Sequence, residues 1–363
     1  MRIAVDRSAL ADKLAQCARV ASARPSVRVL GGVRLVADDG RLALAATDLE
    51  LAVTTSLAAN VEEPGTVVVP ARTLLAIVQA LDGEVAKLSG DGTVLDIRAG
   101  DSSYRLNTLP AEDFPQLPAV RGATRFELPA QVLTEAVGRV LRAASTDLSR
   151  PVYTGVRVTV DGRQLTLTAT DGYRLATAKA ELAQPIAAFD VLVPARALSE
   201  LIRLAAGAGD IVVDLGENLV RFELPGCEVV ARTLDGRPQD HERILSAAFA
   251  HRAGVPRAPL LRAVDRAALL AERGSAVELS FREDEIRVRA RSADLGEAEE
   301  RVMLGEKGPN LRIGFNSRYL RDGLELVRGD DVWFEMNDGL GAVVLRGAAD
   351  DFAYLVAPLR LRD

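Results

Sequence analysis

One segment recurs along this chain at a spacing of about 123 residues, and that spacing limits what the chain can fold into. Leu42-Ala43-Leu44-Ala45-Ala46-Thr47-Asp48-Leu49 returns as Leu165-Thr166-Leu167-Thr168-Ala169-Thr170-Asp171-Gly172, and Gly32-Val33-Arg34-Leu35 returns as Gly155-Val156-Arg157-Val158. Val69-Pro70-Ala71-Arg72 is repeated by Val193-Pro194-Ala195-Arg196 and more faintly by Phe315-Asn316-Ser317-Arg318. A third copy of the strand pattern, Ile286-Arg287-Val288-Arg289-Ala290, ends at Asp294. Solenoid repeats are far shorter, so each copy here is long enough to bury a core of its own. The 363 residues therefore read as three copies of one domain, placed at 1–121, 122–248 and 249–363.

Each copy reads as helix, strands, helix, strands. In the first, Ser8 or Asp6 caps a helix from about Ala9 to Ala21 with Leu10, Leu14, Cys17 and Ala18 on one face. Pro70 opens a second helix through Leu81. Further helices are expected over Ala130 to Ala144, Ala195 to Leu204, Ala258 to Glu272 and Ser317 to Arg328, with Gly138 allowing close backbone packing. Alternating segments between them predict antiparallel strands. The fold class is α+β: three repeated sheet-rich domains, each with two helices on one side of its sheets.

The segment Leu165 to Leu175 draws attention because its strand runs into Asp171-Gly172. A tight turn there sets Tyr173, Arg174 and Leu175 together at a strand end. The carboxylate pairs Asp38-Asp39, Glu62-Glu63 and Asp350-Asp351 read as solvated loop tips. The two histidines, His241 and His251, lack metal-ligand spacing with a cysteine, and no cofactor is expected. No phosphate-binding glycine loop or nucleophile elbow is present. Two cysteines, Cys17 and Cys227, suit a reducing cytoplasm better than a disulfide scaffold, and no apolar run is long enough to span a bilayer.

Charge separates the helices from the rest. The six helical segments, taken with their flanks to Arg24 and Arg273, hold sixteen basic and seven acidic residues, a net of +9. The whole chain is −6, which leaves −15 for the remainder. If the helices share a surface, it is a basic face on an acidic body, suited to a phosphate backbone.

These motifs carry a family resemblance. Ala169-Thr170-Asp171-Gly172-Tyr173-Arg174-Leu175, the repeated Val-Pro-Ala-Arg helix starts, Asn107 to Pro115 and the ending Tyr354 to Leu361 resemble the bacterial DNA polymerase III beta subunit family, the sliding clamps, over the whole chain. The resemblance implies a head-to-tail homodimer closed around double-stranded DNA, its helices lining a central hole. It places Arg24, Arg72 and Arg196 towards DNA, and we add Arg139, Arg142, Arg203, Arg266 and Arg321. For the dimer interface it implies the strand Tyr104-Arg105-Leu106 on the first copy and Leu269 with Leu270 on the third. The acidic tract Glu297, Glu299 and Glu300 would then pair with Arg98 or Arg105.

It also implies a groove for short linear peptides of the replicative polymerase, clamp loader and repair factors. Its residues would be Tyr153, Thr170, Gly172, Tyr173, Arg174, Leu175, Arg243, Ile244, Tyr319 and the end Leu355, Val356, Ala357, Pro358, Leu359, Arg360, Leu361. The sequence departs from the family at Pro238-Gln239-Asp240-His241, at Ala357 where methionine is frequent, and in the extra Arg362 and Asp363. Alanine in place of an adaptable thioether implies a wider, less forgiving groove. Two other readings stay open: a specialised paralogue with another polymerase partner or resistance to a cyclic peptide inhibitor, and an enzyme with an unrecognised carboxylate site.

Overall fold

The computed structural model describes residues 1–120, 124–236, 242–271, 276–348 and 351–361, the side chains of Glu242 and Arg243 excepted. Among these, the helices are α1 (Arg7–Val20), α2 (Ala71–Ala80), α3 (Ala130–Val140), α4 (Ala195–Leu204), α5 (Glu242–Leu245), α6 (Arg257–Ala268) and α7 (Ser317–Leu326). Six are those the pattern predicts, and α5 is an additional single turn.

Asp6, not Ser8, caps α1: its carboxylate accepts from the Ala9 amide at 2.7 Å, a contact worth about 1 kcal/mol. Leu10, Leu14, Cys17 and Ala18 are buried along one stripe of that helix, as their spacing predicts. Pro70 stands one position earlier than expected, as the cap itself, and Pro256 caps α6 in the same way. Asn316 does the same work for α7 by accepting from the Arg318 and Tyr319 amides. The helix predicted to reach Ala144 stops at Val140 and tightens into a 3-10 turn, Leu141–Ala143. Gly138 serves no close approach, since nothing lies within 4 Å of where its Cβ would be.

Four antiparallel sheets carry the rest. The first runs, in spatial order, Asn60–Glu63, Arg2–Asp6, Val85–Gly90, Val94–Ala99 and Ser102–Asn107. The second runs Thr124–Pro129, Asp210–Leu215, Leu219–Leu224, Cys227–Arg232, Leu51–Ala58, Arg41–Thr47, Gly32–Asp38 and Gly65–Pro70. The third is Gly155–Thr170, Arg174–Pro194, Phe352–Val356, Val343–Arg346, Asp331–Met336 and His251–Pro256. The fourth is Gly296–Met303, Glu285–Ser292, Ala276–Phe281 and Leu311–Asn316. The second and third sheets each join strands from two copies. Contacts accordingly gather into two compact units, residues 1–131 with 196–233 and residues 132–195 with 234–363, and the middle copy contributes to both.

Repetition extends to single hydrogen bonds. The amides of Leu109, Leu234 and Leu359 donate to Val68, Leu192 and Gly314 at 2.7, 2.8 and 2.8 Å, so each copy ends with a leucine latched onto its own sheet. The strand that follows each of the first two tips is closed by a strand of the next copy: Leu51 pairs with Ala231, and Arg174 with Val356.

The tips are built alike. Thr170 Oγ1 donates to the Arg174 carbonyl at 2.7 Å and accepts from the Gly172 amide at 3.0 Å, while Asp171 Oδ1 accepts from the Tyr173 and Arg174 amides. Thr47 and Asp48 repeat every one of these bonds around Leu49, Glu50 and Leu51. Gly172 has φ +93°, whereas Leu49, in the same place, has φ +81° and no glycine to relieve it. Leu49→Gly is therefore expected to stabilise the first unit by about 1 kcal/mol, measured as a raised denaturant midpoint.

Candidate functional site

The Thr170 to Leu175 tip does not turn three side chains to one side as predicted. Thr170 pairs with Leu175 across a four-residue connection, which leaves Tyr173 61 % exposed and sends Arg174 inward to 5 % exposure. Arg174 is thus a buried fastening of the tip. Its Nε donates to Asp171 at 3.0 Å, its Nη1 meets Asp322, and its guanidinium lies 4.4 Å over the Tyr319 ring. Burial works against that charge, but the Tyr354 hydroxyl, Asp322 and Asp171 outweigh it and hold the pKa above its usual range. Burial first, and then Asp171, raises the Tyr319 hydroxyl.

Leu175 and Leu355 belong to a buried cluster with Val344 and Ala353, against which Leu245, Phe249 and Ala342 pack. A cleft of about 280 Å³ lined by Leu245, Phe249, Arg252, Glu335 and Arg346 adjoins this packing. Thr170 and Val356 are also buried, so they support the site from behind rather than line it. The Ala357 amide donates to the Tyr173 carbonyl at 2.8 Å, which ties the chain end to the tip. Beyond it Pro358, Leu359 and Leu361 are half-buried and Arg360 is exposed. Ile244 is 38 % exposed, while the Arg243 side chain and residues 237–241, including Gln239 and His241, lie outside the described residues.

One residue of this site was missed by sequence reasoning. Arg150 lies with its guanidinium 4.1 Å over the Tyr153 ring and 3.4 Å from where a Cβ on Gly172 would stand. Gly172 suits that turn through its positive φ, and the Arg150 guanidinium packs against it at ordinary contact distance. No pattern in the sequence links Arg150 to that turn.

The helix arginines divide into three groups. Among the described residues, Arg24 and Arg72 are exposed and have no carboxylate partner. Arg142, Arg196, Arg203, Arg266 and Arg321 are about half exposed and are paired with Glu325, Asp48, Glu200, Glu300 and Asp265 respectively. Arg139 corrects the expectation outright. It is 8 % exposed, ion-paired with Asp351 and stacked 4.4 Å over Phe352, so it holds the fold and faces no solvent. Asp351, whose side chain is 38 % exposed, is by the same contact tied down as well as solvated.

Among the described residues, two edge strands stand apart from their counterparts in the repeat. Ser102–Asn107 ends the first sheet and Gly296–Met303 ends the fourth, and each lacks the neighbouring strand that its counterparts in the other copies possess. Tyr104 is 39 % exposed, Leu106 half-buried, Leu269 77 % exposed and Leu270 half-buried. Within its own copy the acidic tract already has partners. Glu297 meets Arg291, Glu299 meets Arg289 and Glu300 meets Arg266, while Arg105 donates to Asp96. Hydrogen bonding from these arginines holds the Glu299 and Glu300 carboxyls below their ordinary range.

Among the described residues no cluster of His, Cys, Asp or Glu could hold a metal ion, and no helix is long and apolar enough to cross a membrane. Cys17 and Cys227 are both free, and burial pushes the Cys227 thiol up to about 11.

The three copies match, in order, the N-terminal, central and C-terminal domains of the DNA polymerase III beta subunit at residues 1–118, 127–239 and 242–360. The chain belongs to that family. A beta sliding clamp from Streptomyces coelicolor is 34% identical over 99% of this chain and all of its own length. The beta sliding clamp homolog GriR from Streptomyces muensis is likewise 34% identical, over 99% of both chains. The crystal structure of the DnaN sliding clamp from Bartonella birtlesii bound to griselimycin superposes with a TM-score of 0.93 at 31% identity, covering 99% of this chain and 100% of that one. As a sliding clamp, this protein is a non-catalytic processivity factor of DNA replication, and the carboxylate-site enzyme is set aside.

Proposed function

We propose that two copies of this chain close head to tail into a ring around duplex DNA. The pair of open edges carries this reading. In two places the strand after a tip is covered by a strand from the next copy of the repeat, with Leu51 on Ala231 and Arg174 on Val356. The third such strand, Gly296–Met303, is uncovered, and so is its natural complement, Ser102–Asn107. A second copy would satisfy each edge with the other, and paired edges do not aggregate. Three domains per chain, at 1–121, 122–248 and 249–363, would give a six-domain ring.

Arg24 and Arg72 are the cations readiest to meet phosphates, and the paired arginines would exchange a carboxylate for one. Such contacts fix position without reading bases, so the ring can slide. Short linear peptides of the polymerase, the clamp loader and repair factors would enter beside Tyr173, Tyr153, Ile244 and Ala357, tethering the polymerase to its template. Griselimycin would use the same place. Ala357 is also what favours a second reading, a specialised paralogue with altered peptide choice, and equal identity to a clamp and to a clamp homolog leaves both in view.

Clamp loaded onto a nicked circular plasmid should elute with the DNA and be lost once the plasmid is linearised. Retention on the linear form at moderate salt would sink the ring reading.

A further inference from the structure

Asp322 divides its carboxylate between two sites. Oδ2 accepts from Arg174, which holds the tip, and Oδ1 meets Arg142 at 3.5 Å, on the turn that continues α3. Arg142 also pairs with Glu325, which shares its other oxygen with Arg321 at 3.0 Å. The Asp322 side chain is 15 % exposed and that of Arg142 is 50 % exposed, so one end of this chain of charges is fixed and the other is open to solvent.

The repeat supplies an internal comparison. Glu200 occupies in α4 the place of Asp322 in α7, and it meets Arg19, the counterpart of Arg142, at 2.6 Å. At the tip of that unit, however, the counterpart of Arg174 is Leu51, 3 % exposed, and the second partner of Glu200 is Arg203 on its own helix. The acid is joined to a tip only in the repeat whose tip bears Gly172 and the exposed Tyr173.

We propose that Asp322 is a positioning residue that couples peptide occupancy of the groove to phosphate occupancy of Arg142. The inference rests on the reading of the tip as a peptide site and of Arg142 as a duplex contact. While Arg142 is free, Asp322 splits its attraction between two guanidiniums. When a phosphate draws Arg142 away, that attraction falls on Arg174 alone and holds Asp171 to Tyr173 more firmly against α7. A better-ordered tip costs a peptide less to bind, so duplex and peptide strengthen one another to the same degree.

The test titrates a fluorescein-labelled peptide from the clamp-binding segment of the host polymerase, with and without a short duplex carrying a second dye at low salt. Wild type should bind the peptide about fivefold more tightly with duplex present. Asp322→Asn should bind it equally in both conditions, and Glu200→Gln should keep the wild-type ratio. Arg142→Gln, which leaves the buried pair in place, should also lose the ratio, which separates coupling from any loss of folding in Asp322→Asn. A wild-type ratio of one while the second dye reports bound duplex would overturn the coupling, as would full coupling in both Asp322→Asn and Arg142→Gln. A wild type that binds no duplex or no peptide removes the underlying functional reading, and the coupling with it.

Discussion

Leu269→Glu is expected to yield a folded chain that has the mass of one copy where wild type has the mass of two. Leu269 follows α6 and is 77 % exposed, so a charge there has no core to disturb. Its counterparts, in the last turn of α1 and just after α3, are Arg19 and Arg142, each matched by an acid on the helix it meets, Glu200 or Glu325. The position on α2 that corresponds to Glu200 is Ala76, so the outer junction is apolar where the inner ones are ionic. An unpaired carboxylate pressed against that surface costs at least about 3 kcal/mol, roughly a hundredfold in dimer dissociation. Native mass spectrometry at micromolar concentration reads the outcome directly. A dimer of undiminished tightness would remove Leu269 from the interface.

The second large effect concerns Arg174. Truncating it to alanine leaves Asp171 and Asp322 facing each other with side chains only 11 % and 15 % exposed. Removing one partner from a buried charge cluster costs about 3–5 kcal/mol. The sole tryptophan, Trp333, lies in the same compact unit, so its fluorescence reports this unit in denaturant. Arg174→Lys should recover less than half of the loss, because an ammonium cannot bridge two carboxylates and stack on Tyr319 at once. Arg196→Ala offers the contrast. Its side chain is 51 % exposed, and losing its ion pair with Asp48 should cost no more than about 1 kcal/mol. Equal losses at the two positions would contradict this assignment of Arg174.

The difference between those arginines shows what a sequence can and cannot disclose. Repeats, helices and the polar chemistry of the tips depend on residues near one another in the chain, and Leu42 to Leu49 against Leu165 to Gly172 was enough to find them. Arg139 could not be read that way. Charge at a helix end normally means solvent, and its burial depends on Phe352 and Asp351, more than two hundred residues away. Arg174 follows an exposed tyrosine by one position, so strand alternation points it inward, but the acid that receives it stands on α7. Glu300 on the acidic tract pairs with Arg266, thirty-four residues away, again a contact that neighbouring sequence does not announce. Open edges are invisible in sequence altogether, since they consist of strands that are absent.

Phe352–Val356 is an interior strand of the third sheet, seated between Arg174–Pro194 and Val343–Arg346. It is made after every other strand of that sheet. The long hairpin of the middle repeat must therefore wait, with a flank bare, until Val356 has emerged, whereas the first compact unit is complete once Thr233 has emerged. Nascent chains stalled short of Phe352 should be the ones that chaperones hold.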